Sequence, residues 1–397
     1  MPLRFFLFFC IVAVCHGLFA QPAGNEEKGG KPPYNQRFYG EASPVVLAAA
    51  AAIASSLDDN CLAAQVLLTG IDGKASLSPA MKSLLEKHPA GGVMLFRYNL
   101  ETTKDEVKNF LSETVNAVTA GAGIPPFMAV DHEGGLVHRF GPGVEKLPSA
   151  YSFWELAQKQ GRDPALRLAE AQYLRSANEI RELGITMVLG PVAEILNDDN
   201  RLFLETRSYG GDPGFTLAAA SAYVKSMDAA GIACVVKHFP GNTASDPHSG
   251  VSTLQADKAA LDDMVKPFAA LINGLSPPAL MLSHVMVPAI DSRRNASISG
   301  PVINGWIRGE LGFSGIILAD DFSMGAVAAA GLSPSSAAVE ALNSGVDMIM
   351  AWPKNIGEMH SAILRALLDG RLGRKRLLEA ASRIIAEKIR YGLVESQ

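Results

Sequence analysis

Residues 233–241 read ACVVKHFPG, an apolar run that ends in a lysine and a histidine. A continuous rather than alternating apolar run predicts a strand that is buried on both faces. Polar side chains that follow such a strand lie on a loop, where α/β enzymes commonly carry their chemistry. The stretch therefore predicts a buried parallel strand with two candidate site residues, Lys237 and His238, at its carboxyl end.

Apolar runs of this kind recur along the chain and alternate with segments of helical periodicity. The predicted strands are QVLLTG (65–70), GVMLF (92–96), FMAVD (127–131), TMVLG (186–190), ACVVK (233–237), ALMLS (279–283), GIILA (315–319) and DMIMA (347–351). The clearest predicted helices are 103–118, 164–183, 213–230 and 335–345, several of which open with Ser, Thr or Asp and close with Gly. Eight such units predict an α/β fold, a (β/α)8 TIM-type barrel forming a single catalytic domain. A doubly wound open sheet is the alternative, although no Rossmann fingerprint follows the first strand.

Composition narrows the class of function. The chain has 397 residues, of which 48% are hydrophobic and 19% charged, and its net charge is −5. Acidic and basic residues are interspersed, which argues against nucleic acid as a partner because phosphate binders concentrate Lys and Arg. The cysteines do not predict a disulfide framework, and no Cys or His spacing suggests zinc. We therefore expect no metal and no organic cofactor.

The N-terminal region carries an export pattern. Residues 1–20 place one cation, Arg4, before an uncharged apolar stretch, which predicts a signal peptide cut near Ala20. A retained membrane anchor is the alternative, and the residues before Cys15 loosely resemble a lipobox, so a lipid anchor at Cys15 also stays open. Residues 21–45 predict a flexible tether, and 46–394 the catalytic domain. The expected location is periplasmic or secreted, with a membrane-anchored lipoprotein as the variant; we expect a monomer.

The carboxyl ends of the predicted strands are rich in polar residues. In a barrel these ends converge on one face, where catalytic residues lie. The collected residues are Asp72, Arg97, Asn99, Asp131, His132, Glu133, Glu194, Lys237, His238, Asp246, His248, His284, Asp320, Asp321 and Trp352. Such a mixture of carboxylates, cations and an aromatic ring suits sugars, whose hydroxyls need both donors and acceptors. A small carbohydrate is the expected substrate.

An ordered series of motifs then points to one family. The motifs are GGVMLF (91–96), VDHEGGLVHRF (130–140), ETRSYGGDP (205–213), KHFPG (237–241), DPH (246–248), LSHVMVP (282–288) and GFSGIILADDFSMGAV (312–327). The series resembles glycoside hydrolase family 3, and more narrowly its single-barrel bacterial β-N-acetylglucosaminidase branch. KHFPG and the ADDFSM block are the most specific of these motifs.

The resemblance implies a role for each matching residue. Asp320 matches the catalytic nucleophile, and Asp321 is interpreted as a loop cap. His248, with Asp246 as its partner, matches the acid/base. The substrate-binding positions it implies are Asp131, Arg139, Arg207, Lys237 and His238, with His284 at the floor of the pocket. Lys237 and Arg207 are also expected to keep Asp320 ionised, and Trp352 is either a sugar platform or part of the core.

The resemblance therefore predicts a retaining exo-β-N-acetylglucosaminidase acting on cell-wall or chitin-type oligosaccharides by double displacement. A β-glucosidase or a glycoside phosphorylase of the same family is an alternative, and an inactive exported sugar-binding lipoprotein is another. Three departures from the family pattern put the sugar in doubt: the loop after KHFPG is shortened and carries Asn242-Thr243, Leu136 stands where arginine is frequent, and Glu194 replaces an aspartate.

Overall fold

Eight parallel strands close into a barrel in the computed structural model, which describes residues 40–245, 250, 252–329 and 331–395. The strand order around the barrel is β1-β10-β9-β6-β5-β4-β3-β2, and β1 pairs with β2 to complete the circle. The barrel strands are β1 Leu67–Gly70, β2 Gly92–Leu95, β3 Phe127–Asp131, β4 Met187–Val192, β5 Ala233–Phe239, β6 Ala279–Leu282, β9 Ile316–Ala319 and β10 Met348–Ala351. Each lies within or overlaps one of the eight predicted runs. The predicted (β/α)8 architecture is therefore confirmed.

Helices surround the barrel. They are α1 Pro44–Ser56, α2 Asp59–Gln65, α3 Pro79–Lys87, α4 Arg97–Leu100, α5 Lys104–Ala122, α6 Ala150–Gln160, α7 Arg162–Glu182, α8 Arg201–Leu204, α9 Pro213–Ala229, α10 Lys258–Met264, α11 Lys266–Leu275, α12 Gly325–Ala329, α13 Pro334–Ser344, α14 Ile356–Leu368 and α15 Arg374–Arg390. A 3₁₀ turn spans Ala296–Ile298, and a π-helical segment spans Pro301–Glu310. No helix in the described ranges is both long enough and apolar enough to cross a membrane.

Local sequence explains why the helices begin and end where they do. The side chain of Thr103 accepts from the backbone N–H of Glu106, and the carboxylate of Glu106 accepts from the backbone N–H of Thr103. These two hydrogen bonds cap α5. The same helix ends at Gly123, whose φ of +70° favours a residue without a side chain. These signals produced the predicted helix 103–118, which the structure extends to Ala122.

Two features differ from the sequence-based expectation. An antiparallel hairpin, β7 Met286–Val287 and β8 Asp291–Asn295, follows β6 and lies outside the barrel. The polar sequence DSRRN gave no strand signal. In addition, Ser43 caps α1, so helix already occupies the last residues of the predicted tether. The predicted signal peptide and residues 21–39 lie outside the described residues.

Candidate active site

A cavity of about 380 Å³ opens at the carboxyl ends of the strands. Its floor consists of Met94, Leu189, Met281 and Met350, which point into the barrel. Its polar lining residues are Asp131, Glu133, Arg139, Arg207, Lys237, His238, Asp320 and Asp321, and its remaining walls are Phe96, Val137, Phe203, Met324 and Trp352. The structure thus brings the described residues with predicted catalytic or substrate-binding roles into one cavity, except His284. The other described strand-end residues that do not line it are Asp72, Arg97, Asn99, His132 and Glu194.

One side of the cavity is a buried network of opposite charges. Lys237 Nζ lies 2.7 Å from both Asp131 Oδ1 and Glu133 Oε1. Arg207 binds Glu133 with two N–H groups, at 2.7 Å from Nε and 2.9 Å from Nη2. Arg139 Nη2 donates to Asp131 Oδ2 at 3.4 Å. The strand ends of β3 and β5 and the segment after α8 therefore meet through paired charges. We name Asp131, Glu133, Arg207 and Lys237 the charged cluster.

The charged cluster stabilises the ionised form of each of its members. Burial and the neighbouring Glu133 would raise the pKa of Asp131, but Lys237 and Arg139 outweigh them and the pKa is lowered. Burial would also raise the pKa of Glu133, yet Lys237 and Arg207 hold it well below its usual range. The pKa of Lys237 is raised because Asp131 and Glu133 more than offset its burial. These side chains remain charged and can bind sugar hydroxyls with charge-assisted hydrogen bonds.

This pairing corrects one expectation. Lys237 and Arg207 were expected to keep Asp320 ionised, but their ion pairs are with Asp131 and Glu133. Asp320 instead lies at the end of β9, and its Oδ1 accepts from the backbone N–H of Asp321 at 2.8 Å. Its Oδ2 has no hydrogen-bond partner among the described residues. The Asp320 carboxylate lines the cavity, and its Oδ1 is the oxygen that the described residues bind.

Asp321 is held by its neighbours. Its carboxylate accepts from the backbone N–H of Ser323 at 2.8 Å, as a loop cap does, and from Trp352 Nε1 at 2.7 Å. The Trp352 ring stacks on Phe96, with centroids 4.7 Å apart, and both rings line the cavity. A Cβ at Gly70 would lie 3.3 Å from Phe96 and 3.4 Å from Trp352, so glycine leaves room for this stack. The predicted loop-cap role of Asp321 is confirmed, and Trp352 contributes a wall of the cavity.

His284 occupies a different place from the one predicted. It is 1% exposed and does not line the cavity. Its Nε2 donates to the backbone carbonyl of Asp321 at 3.0 Å, and its Nδ1 lies 2.8 Å from Ser297 Oγ. Because a carbonyl only accepts, Nε2 is the donor, and this bond connects His284 to the loop that carries the two aspartates.

The predicted acid/base pair, Asp246 and His248, lies outside the described residues. The described flanks of their loop are fixed to the barrel. The N–H of Asn242 donates to Glu194 Oε2 at 2.6 Å, and Met286 N–H donates to the carbonyl of Ser252 at 2.8 Å. One described flank is thus bonded to Glu194 and the other to Met286 of β7, and the role of this pair stays a prediction.

The comparisons with known proteins agree with this site. The family model for the glycosyl hydrolase family 3 N-terminal domain matches residues 57–386. The chain belongs to glycosyl hydrolase family 3. The predicted family is therefore confirmed, and the closed barrel is the fold that this resemblance implied.

Relatives of this family 3 chain bear consistent names. A protein named beta-hexosaminidase from Stenotrophomonas maltophilia is 32% identical over 324 residues, which is 79% of this chain and 92% of that protein. The solved structure of a family 3 beta-N-acetylglucosaminidase from a Paenibacillus species aligns with a TM-score of 0.79 and 28% identity, over 85% of this chain and 63% of that longer one. A beta-N-acetylhexosaminidase from Beutenbergia cavernae aligns with a TM-score of 0.73 and 25% identity, over 84% of this chain and 99% of the other.

Sequence reasoning missed two functional positions of this family 3 site. Glu133 was collected as a strand-end residue but given no role, although it binds both Lys237 and Arg207. Glu194 was collected as a strand-end residue and noted as a departure from the family pattern but given no role, although it lies 2.6 Å from His238 Nδ1. Acidic residues following strands β3 and β4 were the available signal. Within the described part of the chain, no group of three His, Cys, Asp or Glu side chains could hold a metal ion.

Proposed function

We propose that this glycoside hydrolase is a retaining exo-β-N-acetylglucosaminidase of the β-N-acetylhexosaminidase type. It removes terminal β-linked N-acetylglucosamine from cell-wall or chitin-type oligosaccharides. The carrying observation is that the Asp320 carboxylate lines the same cavity as the charged cluster. The names of the family 3 relatives support the choice of sugar.

The shape of the cavity supports exo action. Its floor is the side-chain core of the barrel, which is packed rather than open as a pore. The end of a sugar chain can therefore enter the cavity but cannot pass through the barrel. The charged cluster then binds the hydroxyls of the terminal sugar, and Asp320 lies at another side of the same cavity.

The proposed chemistry is double displacement. Asp320 attacks the anomeric carbon, forming a bond from its carboxylate oxygen as the glycosidic bond breaks, and His248 donates a proton to the departing oxygen. Neutral His248 then accepts a proton from water as that water attacks the glycosyl-enzyme and Asp320 leaves. Asp246 orients the His248 ring. Asn242, at the described flank of their loop, is bonded to Glu194, which also contacts the cavity residue His238, and this proximity supports the placement.

The test compares initial rates on 4-nitrophenyl β-N-acetylglucosaminide and on the matching β-glucoside, with proton NMR of the first product formed. The proposal expects a clear preference for the N-acetyl sugar and release of the β-anomer. A preference for the glucoside would show a β-glucosidase, and release of the α-anomer would contradict retention. Sugar 1-phosphate formed only when phosphate is added would show a phosphorylase.

Export is a second part of the proposal, supported by the apolar stretch in residues 1–20. The mature N-terminus should lie near Gln21, and osmotic shock of cells that make the full chain should release the enzyme. If Cys15 is lipidated, the enzyme should partition into detergent and a Cys15→Ser variant should not. Recovery of full-length protein with Met1 intact from the cytosol would contradict both versions.

A further inference from the structure

Glu194 connects a cavity-lining histidine with the loop that follows β5. The residue is 2% exposed. Its Oε1 lies 2.6 Å from His238 Nδ1 and accepts from Asn242 Nδ2 at 3.0 Å, while Oε2 accepts from the backbone N–H of Asn242 at 2.6 Å. Both oxygens receive N–H groups, so both act as acceptors, as those of a carboxylate do.

Two neighbours of His238 determine where its proton lies. A carboxylate cannot donate, so the short contact with Glu194 requires the proton on Nδ1. On the other side of the ring, Arg207 Nη2 lies 3.3 Å from Nε2. A guanidinium only donates, so this contact requires a lone pair on Nε2. Both contacts are therefore satisfied by the neutral ring with hydrogen on Nδ1.

We propose that Glu194 is a positioning residue that makes His238 a hydrogen-bond acceptor for Arg207 at the cavity and fixes the start of the loop after β5. This inference rests on the proposed function, in which the cavity holds the terminal sugar. His238 lines the cavity, and its single Nε2 lone pair accepts from Arg207 Nη2, so the ring holds the guanidinium of Arg207 in place beside that sugar. Asn242 lies four positions before Asp246, so the same carboxylate fixes the described flank from which the predicted acid/base segment leaves the barrel.

The first experiment measures the tautomer in the wild-type enzyme. Nitrogen NMR of protein labelled with ¹⁵N-histidine distinguishes a protonated ring nitrogen from an unprotonated one, and a His238→Gln variant identifies the His238 signals. We expect a protonated Nδ1 and an unprotonated Nε2. A proton on Nε2, with or without one on Nδ1, would overturn the proposal without any variant of Glu194 having to fold.

The second experiment changes Glu194 itself. Glu194→Gln keeps the shape but replaces one acceptor oxygen with an NH₂ group, which cannot accept from His238 or Asn242. We expect the His238 signals to show a loss of the single tautomer. We also expect kcat/KM to fall about 10- to 100-fold, the range found for carboxylates that orient metal-bound imidazoles. The fall should include a higher KM, and N-acetylglucosamine itself should bind more weakly.

Two variants serve as controls. Glu194→Asp keeps the charge but is one methylene shorter, so it should restore the Nδ1-protonated ring while recovering only part of kcat/KM. Asp228→Asn changes another buried carboxylate, at the end of α9, and should alter neither the His238 signals nor KM. A Glu194→Gln enzyme with an unchanged tautomer and kcat/KM within about twofold of wild type would overturn the proposal.

The two proposals fail in distinguishable ways. If the wild type does not hydrolyse β-N-acetylglucosaminides, the proposed function fails while the His238 tautomer is still measured. If hydrolysis is confirmed and the tautomer is wrong, the positioning role fails alone.

Discussion

The charged cluster at the mouth of the barrel and two buried groups at its bottom, Lys388 and Asp228, have different partners. At the mouth, each member of the charged cluster faces at least one opposite charge, as Lys237 faces Asp131 and Glu133. At the bottom, Lys388 Nζ donates to the neutral Gln65 at 2.9 Å, and Asp228 Oδ1 accepts from the hydroxyl of Tyr391 at 2.6 Å. The mouth therefore pairs charges, whereas the bottom offers these two groups neutral partners.

The pKa shifts follow this difference. Ion pairs at the mouth lower the pKa of Glu133 and raise the pKa of Lys237, so both side chains remain charged. Burial at the bottom lowers the pKa of Lys388 to about 7 and raises that of Asp228 to about 6. Burial alone favours the neutral form of a group, and only an opposite charge reverses that preference. The comparison teaches that a buried side chain keeps its charge where opposite charges face it, as Asp347 at the bottom also does beside Arg308, Arg376 and Arg383.

The largest expected effect concerns Asp320, the proposed nucleophile, which lines the cavity but does not belong to the charged cluster. Asp320→Ala should reduce kcat roughly 10⁴- to 10⁶-fold with little change in stability, because removing a nucleophile removes the covalent step. Rates and thermal unfolding should be measured together, with Asp321→Ala as the matched control. An inactive Asp321→Ala enzyme beside an active Asp320→Ala enzyme would reverse the assignment.

The next effect breaks the pairing at the mouth. Glu133→Gln leaves Lys237 and Arg207 with less negative charge and should lower the free energy of unfolding by about 3–5 kcal/mol, as measured in urea. The pKa of Glu133 is lowered on folding, so its contribution is present above about pH 4.5 and is lost only as pH falls through the folded value. The loss should therefore be full at pH 7.

A surface pair provides the control for that measurement. Glu86 lies 3.9 Å from Lys82, and both side chains are largely exposed. Glu86→Gln should change stability by less than about 1 kcal/mol, because solvent screens exposed pairs. If Glu133→Gln and Glu86→Gln lowered the free energy of unfolding equally, buried and exposed ion pairs would contribute equally to stability, which would contradict the prediction.

The contribution of Lys388, at the bottom of the barrel, to the free energy of unfolding should depend on pH in the alkaline range. The pKa of Lys388 falls from 10.5 to about 7 on folding, so stability rises with pH between those values and is lower below them. The free energy of unfolding of the wild type, measured in urea, should therefore increase by about 2–4 kcal/mol over this pH window because of Lys388. Lys388→Met should remove the gain, whereas Lys375→Met, exposed on the same helix, should keep it.

The smallest effect lies in the acid range. The pKa of Asp228 is raised from 3.8 to about 6, so its contribution is full below about pH 4 and is lost as pH rises through about 6. Asp228→Asn keeps an acceptor for Tyr391 and should remove about 1–2 kcal/mol of this pH dependence. Asp198→Asn, whose wild-type side chain is 99% exposed, is the control and should leave the urea curves at pH 4 and pH 7 unchanged relative to wild type.

The sequence predicted the barrel because every strand of a parallel barrel is buried on both faces and reads as a continuous apolar run. It also predicted that Asp131, Lys237 and Asp320 belong to the site, because each of them ends or directly follows such a run. All three line the cavity. The sequence did not predict the roles of Glu133 and Glu194, since their partners come from distant positions; Arg207 is 74 residues from Glu133. The sequence did not predict the hairpin of β7 and β8, because its second strand is polar and exposed.

The anchoring of the loop after β5 has a consequence for how such enzymes diversify. Asn242 is bound to Glu194, Thr243 is hydrogen-bonded to Ser252, and Leu254 N–H donates to Met286 at 2.9 Å. The two flanks are thus closed by contacts that do not depend on the residues between them. Doubling the length of a flexible loop costs only about 0.6 kcal/mol in closure entropy. Insertions and deletions between Thr243 and Ser252 can therefore accumulate without unfolding the barrel, so this segment can acquire new leaving-group preferences while the strands beneath it stay unchanged.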